Sequence, residues 1–495
     1  MEQRRAKEQA FSNISTRSFV TVVILLTVVL LVSGALSYFI PQGAFLRDEQ
    51  GVLLADSFQM GEVEGIAVWR ILTAPIRVFW SEDALTIWMI GLFLLIMSGV
   101  FNLLDKTGGI RVFIGRLMRK LQGKNRTVIS LCVLIFMLFG SFFGMFEELV
   151  TLLPLVIVFM LSLGMDTMTG LGACMLAACF GFSAAITNPF SVGLATQMAV
   201  SQGIETSVLS GVGYRILLFV VAYAVLCGFL LLHQRRIAKH PERSLSFAID
   251  EEKRKNLIVT EAEEGPKERK LFLAFALFFL VQIVLLLLIA SVRAVSGYAI
   301  PILAVSFLIG GIAVGFCVTE RKRDTFRYLG QGALAMLPAM LMIALASSVK
   351  LVMTESGILD TVMNAVIGLL SGKSKFVAVL LIYALILFLQ VFIGSASAKI
   401  MLVMPIVLPI CSALGIPSSV VILAYCMADG FTDVFLPTNP VLLVGLSMAN
   451  VSYGTWAKWT WTLQIGICLL TVLIYQMDLT VTKILLVLQV LKLLN

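Results

Sequence analysis

Residues Gly394 to Pro440 read GSASAKIMLVMPIVLPICSALGIPSSVVILAYCMADGFTDVFLPTNP. The stretch is apolar enough to lie in a bilayer. Yet it holds a small-residue turn (Gly394-Ser395-Ala396-Ser397-Ala398), a lysine (Lys399), two aspartates (Asp429, Asp433) and a proline-rich break (Leu436-Pro437-Thr438-Asn439-Pro440). Backbone polar groups facing lipid cost several kcal/mol each, so irregular backbone at membrane depth survives only against protein or a water-filled cavity. The stretch is therefore a candidate site.

The whole chain suits a membrane. It is 59% hydrophobic and 13% charged, with a mean hydropathy of +0.99, whereas a soluble domain carries about 25% charge. The net charge of +8 does not point to nucleic acid, because the basic residues sit in short loops where topology requires them. All eight cysteines lie in apolar segments without metal-type spacing, which reads as reduced packing residues. His233 and His240, the only histidines, fall at a predicted membrane edge. The first apolar run lacks a following small-residue cleavage site and reads as a retained helix.

The predicted order is as follows. Residues 1–17 form a polar N-terminus, and 18–40 spans. An acidic loop covers 41–83, 84–104 spans, and 105–126 is a basic amphipathic helix at the interface. Residues 127–165 are apolar but interrupted by Gly140-Ser-Phe-Phe-Gly144-Met-Phe-Glu147-Glu148, which reads as a re-entrant hairpin with its break at the tip. A broken helix, 168–200, contains Thr187-Asn188-Pro189, and 209–232 spans. The loop 233–269 reads as a flexible linker closing the first half, 18–232. In the second half, 270–475, spans at 271–291 and 299–318 precede a basic loop at 320–327. A span at 331–349 and an amphipathic helix at 354–372 lead into the second hairpin, 376–413. A second broken helix, 418–448, and a span at 456–475 follow, with a separate short helix expected in 476–495. The six tryptophans read mostly as interfacial anchors.

The same unit occurs twice. Gly109 and Gly357, Gly123 and Gly372, Gly140 and Gly394, and Asn188 and Asn439 match in order at offsets of 248, 249, 254 and 251 residues. Basic segments place the N-terminus, 105–126, the linker and 320–327 in the cytoplasm, and the acidic 41–83 loop outside. Hairpin one then enters from the cytoplasm and hairpin two from outside. This predicts an all-α polytopic membrane protein built as an inverted repeat, with nine full spans and a site where the two units meet near the midplane.

Chemistry at the breaks follows from residue type. Proline cannot continue a preceding helix but suits the first position of a new one, and asparagine before it is a good N-cap. Each Thr-Asn-Pro thus ends one half-helix and begins another. Half-helix N-termini attract anions and unwound carbonyls hold cations, so Na+ or H+ is the expected coupling ion. Glu147, Glu148, Asp429 and Asp433 are ionisable residues in apolar runs, functional by default. Lys399 either binds a carboxylate or neutralises an aspartate. The expected site lies between Ser395, Ser397, Thr438 and Asn439 on one side and Glu147, Glu148, Thr187 and Asn188 on the other, with Lys399, Asp429 and Asp433 beside it. Gly140, Gly144, Pro189, Gly394, Pro437 and Pro440 shape the backbone there.

FGMFEELVTLLPLVIVFMLSLGMD, GFSAAITNPFSVGLA, SASAKIMLVMPIVLPICSALGI and MADGFTDVFLPTNPVLL resemble the YfcC family, whose relatives include DcuC-type C4-dicarboxylate carriers and ArcD-type basic amino acid antiporters of the ion transporter superfamily. The Gly-Ser-Ala-Ser-Ala-Lys turn is also similar to aminobenzoyl-glutamate transporters. The resemblance covers roughly residues 18 to 475. Phe392-Ile393 stands where the pattern has Pro-Ser, and Pro-Thr-Asn-Pro where it has Pro-Thr-Ser-Gly. The resemblance implies a homodimer and an elevator-like motion of hairpins and broken helices against a scaffold.

The expected function is a secondary active transporter in the cell membrane for a small polar metabolite. Four acids against Lys399 favour a cationic group, either on a basic amino acid or as coupling ions beside a carboxylate substrate. An ion channel is the alternative. An intramembrane enzyme is less well supported. No histidine lies mid-membrane to serve a metalloprotease or a serine nucleophile, and Asp429 and Asp433 lie one turn apart on the same helix. No catalytic residue, cofactor or metal site is expected beyond that coupling ion, and the expected partners are substrate and lipid.

Overall fold

Inside a bilayer each backbone N–H and C=O must be satisfied within the chain, and helices do this locally. A computed structural model of the protein describes residues 16–46, 57–82, 84–109, 123–150, 152–256, 266–291, 299–319, 321–370 and 372–493, with 112, 116 and 121 between them. It is an all-α polytopic membrane protein. Eight helices among the described residues are long and apolar enough to cross a membrane. Much of the N-terminus and of 105–126 lies outside the described residues.

The helices form two groups. Ala84–Lys106, Ala299–Val318, Lys322–Ala335, Leu337–Glu355 and Thr16–Leu36 pack together as a flanking bundle. Without a hydrophobic drive in lipid, small residues and hydrogen bonds hold such helices. Here Ser98 donates to the Gly332 carbonyl at 2.8 Å and Asn102 to that of Tyr328 at 2.7 Å. The second group contains both hairpins and both broken helices, with residues 167–186 wholly buried at its centre. Outer helices turn leucines outward to lipid, as Leu273, Leu277 and Leu469 show.

Both predicted hairpins are closed at their bases. Asn125 begins the first arm of hairpin one and donates to the Leu163 carbonyl beyond the second arm, Leu153–Ser162, at 3.2 Å. Lys375 begins Lys375–Gln390 in hairpin two and donates to the Gly415 carbonyl beyond Ala396–Ala413 at 2.5 Å. The second amphipathic helix forms as Ile358–Leu370.

Five expectations need correction, the linker described below among them. The 41–83 loop contains a helix, Val68–Arg77, and a short pairing of Gly43–Ala44 with Gln59–Met60. Its Arg77 pairs with Glu355, and its Phe45 N–H donates to Asp360 at 3.1 Å. The basic 320–327 segment is helical from Lys322, because it holds no breaker and packs on Ala84–Lys106. Among the described residues the expected separate C-terminal helix is part of a continuous Tyr453–Leu493, and no proline or glycine occupies 476–480 to stop it. Trp456 and Trp459 are not interfacial anchors. Trp456 is fully buried and donates to the Val434 carbonyl at 2.6 Å, and Trp459 donates to His233 at 3.2 Å.

The described part of the linker is docked rather than loose. Its helix Phe247–Asn256 places Asp250 against Thr167 and Ser246, and Lys253 against the Ala449 carbonyl at 2.7 Å. Arg254 reaches the Met165 carbonyl at 2.7 Å, and His233 meets Asp166 at 2.9 Å. Burial pushes the Asp250 carboxyl above its ordinary range, opposed by the bonds from Thr167 and Ser246. Burial also pushes the Asp166 carboxyl upward, but His233, Thr169 and Ser244 hold it below that range. Burial lowers the Lys253 ammonium from 10.5 to about 8. The cost of its buried charge is therefore complete below pH 8 and fades toward 10.5. Linker docking is expected to tighten as pH rises through that window. Hydrogen exchange at residues 247–256, corrected for intrinsic rate, checks this, and protection that falls with pH contradicts it.

Candidate functional site

The two Thr-Asn-Pro breaks share one local construction. In break one, the Asn188 side chain accepts from the N–H groups of Phe190 (2.9 Å) and Ser191 (3.2 Å), with Pro189 first in the new helix. In break two, Asn439 accepts from Val441 (2.9 Å) and Leu442 (3.3 Å), with Pro440 first. The preceding threonines also match: Thr187 donates to the Phe142 carbonyl at 3.1 Å and Thr438 to that of Gln390 at 3.0 Å. Each hairpin tip is thus fastened to the break of its own half.

Small residues permit this. Gly144 is left-handed (φ 68°), and a Cβ there would lie 2.2 Å from Asn188 Oδ1. A Cβ on Gly140 would lie 2.0 Å from the Ala178 carbonyl oxygen, and one on Gly394 3.0 Å from that of Thr438. Pro437 is half-buried in the second break. Between halves, Ala177–Ala184 crosses Ser418–Asp433, with Phe180 edge-on to Phe431 at 4.9 Å.

In the second half, Lys399, Asp429, Asp433 and Asn439 form one buried network. Lys399 and Asp429 are an ion pair with neither side chain exposed. Lys399 also donates to Gln390, and Gln390 donates to Asp433 Oδ1. Asn439 donates to the same oxygen at 3.1 Å. Gln390 therefore joins Lys399 to Asp433, linking the two arms of hairpin two to the broken helix. Removing one partner of such a pair strands a buried charge.

The other predicted residues are placed differently. Ser395 is exposed and caps its arm by accepting from the Ala398 N–H at 3.4 Å, while Ser397 is half-buried beside it. The Glu148 side chain lies outside the described residues. Glu147 is half-buried and lines a small cavity with Val150, Pro440, Val441 and Val444 of the hairpin group and Ile90, Phe93, Leu94 and Ile343 of the flanking bundle. Among the described residues, Glu147 reaches the start of the half-helix after break two, and Ala396–Ala413 of hairpin two packs against the half-helix after break one.

Two residues escaped the sequence reading. Gln390 is a lone amide in an apolar helix, a signal the rule for ionisable groups does not register. Arg215 sits at the start of Val212–Lys239 and looks like a span-end charge, yet it is buried. It donates to the Ala185 carbonyl at break one at 3.2 Å and to that of Ser210 at 3.1 Å. Groups of three or more metal-ligating side chains are absent among the described residues.

The family described as DcuC, C4-dicarboxylate anaerobic carrier, matches residues 17–481. The chain is 29% identical over 372 residues to an uncharacterised protein of Haemophilus influenzae, covering 74% of this chain and 70% of that one. It is 26% identical over 379 residues to YfcC of Escherichia coli, a candidate basic amino acid antiporter, covering 74% and 72%. Among solved structures it is similar to the YdaH transporter of Alcanivorax borkumensis, at 17% identity and a TM-score of 0.43, covering 92% of this chain and 96% of that one.

Proposed function

Because the chain belongs to the DcuC family of C4-dicarboxylate anaerobic carriers, we propose that it moves a small polar metabolite across the cell membrane by alternating access. The protein is a multi-pass membrane transporter. The proposed substrate is an amino acid, basic ones included, or a carboxylate, the two classes named for its family and for the YfcC relative. Transport is coupled to Na+ or H+, or proceeds by exchange.

The carrying observation is the cavity at Glu147. It lies between the hairpin group and the flanking bundle, beside the N-terminus of the Pro440–Ala449 half-helix. It marks where the two groups meet, the boundary along which an elevator-like carrier moves its solute. The inverted arrangement is supported by the ends of broken helix two. Ser418 follows the base of hairpin two, whereas Ala449 meets Lys253, which also contacts Thr167 near the base of hairpin one. The hairpins thus enter from opposite ends of that helix. The N-terminus is cytoplasmic in this reading, and the carrier is a homodimer.

Uptake of labelled arginine, ornithine and succinate into proteoliposomes, under imposed Na+ or H+ gradients and with internal substrate for counterflow, tests the proposal. At least one probe is expected to accumulate well above empty vesicles and to saturate. Large unitary currents instead of saturable counterflow would make it a channel.

A further inference from the structure

The buried network of the second half carries more charge than it balances. It contains one ammonium, Lys399, and two carboxylates, Asp429 and Asp433. Gln390 and Asn439 are neutral and contribute only hydrogen bonds. Among the described residues, the other titratable side chains in electrostatic reach of Asp433 are Tyr425 on its own helix and Cys179 on the first broken helix. From Tyr453–Leu493, Gln464 and Tyr475 bond carbonyls of that helix instead, those of Phe431 and Ala424. With both carboxylates ionised, the network holds one uncompensated negative charge. An unpaired charge in such surroundings costs several kcal/mol, and the usual relief is uptake of a proton.

We propose that Asp433 is a proton-binding residue of the carrier, and that Lys399 is a tethered cation occupying the place a second coupling ion would need. Three observations select Asp433 over Asp429. Asp429 faces the ammonium directly, so its charge is the one that Lys399 balances. Among the described residues, Asp433 receives both of its hydrogen bonds on Oδ1, leaving Oδ2 to carry the hydrogen. Asp433 also keeps 5% of its surface exposed, whereas Asp429 and Lys399 keep 0%, so it is the carboxylate a proton can reach. The step forms one O–H bond at Oδ2 and breaks none within the protein. The proton comes from water on one side and returns to water on the other. Protonated, the network is neutral and the hairpin closes on its break. Deprotonated, it carries a charge that opposes that closure. This deepens the transport reading and rests on it for the link to flux, although the proton site itself is measurable without transport.

Infrared difference spectra of the full-length purified protein between acid and alkaline pH read the protonated carboxyl directly. The wild type is expected to show a carboxylic C=O band that Asp433→Asn removes. Asp433→Glu is expected to shift the band and Asp429→Glu to leave it in place. Asp429→Asn removes it too, because Lys399 then balances Asp433, whereas Lys399→Met doubles it. No wild-type band sensitive to Asp433, or a shift with Asp429→Glu alone, overturns the assignment, and the wild type with the conservative Asp433→Glu keeps the test decisive if the other variants misfold. In proteoliposomes with arginine, ornithine and succinate as probes, a pH gradient is expected to drive wild-type uptake without Na+. Uptake driven by Na+ alone overturns the tethered-cation assignment. If no probe moves while the band behaves as stated, the transport reading fails and the proton site stands.

Discussion

Lys399→Met is expected to destabilise the protein by about 3–5 kcal/mol, the usual cost of removing one partner from a buried ion pair. The lysine is fully buried, and its ammonium is shared between Asp429 and the Gln390 amide oxygen. Neither Asp429 oxygen has a hydrogen-bond donor beyond this ion pair among the described residues. Methionine nearly matches lysine in volume, so the effect reports charge rather than a cavity. The double variant Lys399→Met/Asp429→Asn is expected to regain most of the loss, because the stranded carboxylate disappears with its partner. Thermal unfolding of detergent-purified variants measures both. If the single variant unfolds with the wild type, or the double variant is the less stable of the two, the network is not the bond between hairpin two and its broken helix.

The second large effect is expected where two backbones touch. A Cβ on Gly140 would lie 2.0 Å from the Ala178 oxygen, and one on Gly181 2.0 Å from the Met137 oxygen. These glycines face each other across the first hairpin arm and the first broken helix. Neither neighbour is a flexible side-chain end, so a methyl group must force the helices apart. Overpacking of this kind costs about 1–3 kcal/mol, occasionally more. Gly140→Ala and Gly181→Ala are each expected to lower the unfolding temperature and to abolish flux, because the Thr187 contacts to Ser141 and Phe142 depend on the same approach. Gly445→Ala is the control: its neighbour at 2.4 Å is the Met175 sulfur, the end of a side chain that can swing away. Gly445→Ala behaving worse than Gly140→Ala would contradict this account of the close approach.

These expectations differ in how far the sequence anticipates them. Helix positions, both hairpins and both breaks follow from local chemistry: apolar runs long enough to span, glycine-rich interruptions, and asparagine before proline. Those signals act over a few residues, so they survive without knowledge of neighbours. Where local signals were weak, boundaries moved. The basic stretch after 320 joined a helix, and the last helix ran on through 476–480. The docked linker could not be foreseen, since its polar residues look equally suited to solvent until Thr167, Met165 and Ala449 are placed beside them.

Sequence alone determined that this is a helical membrane protein whose breaks carry the polar groups. The period of its hydrophobicity and the conformational limits of proline and glycine suffice for that. Only the tertiary structure decided which groups meet. It joined Lys399 to Asp429 and bridged both halves of that network through Gln390. It also bound each tip to its own break and left Glu147 to face the start of the Pro440 half-helix. Pairing of buried charges depends on distances between helices far apart in the chain, and packing sets those distances.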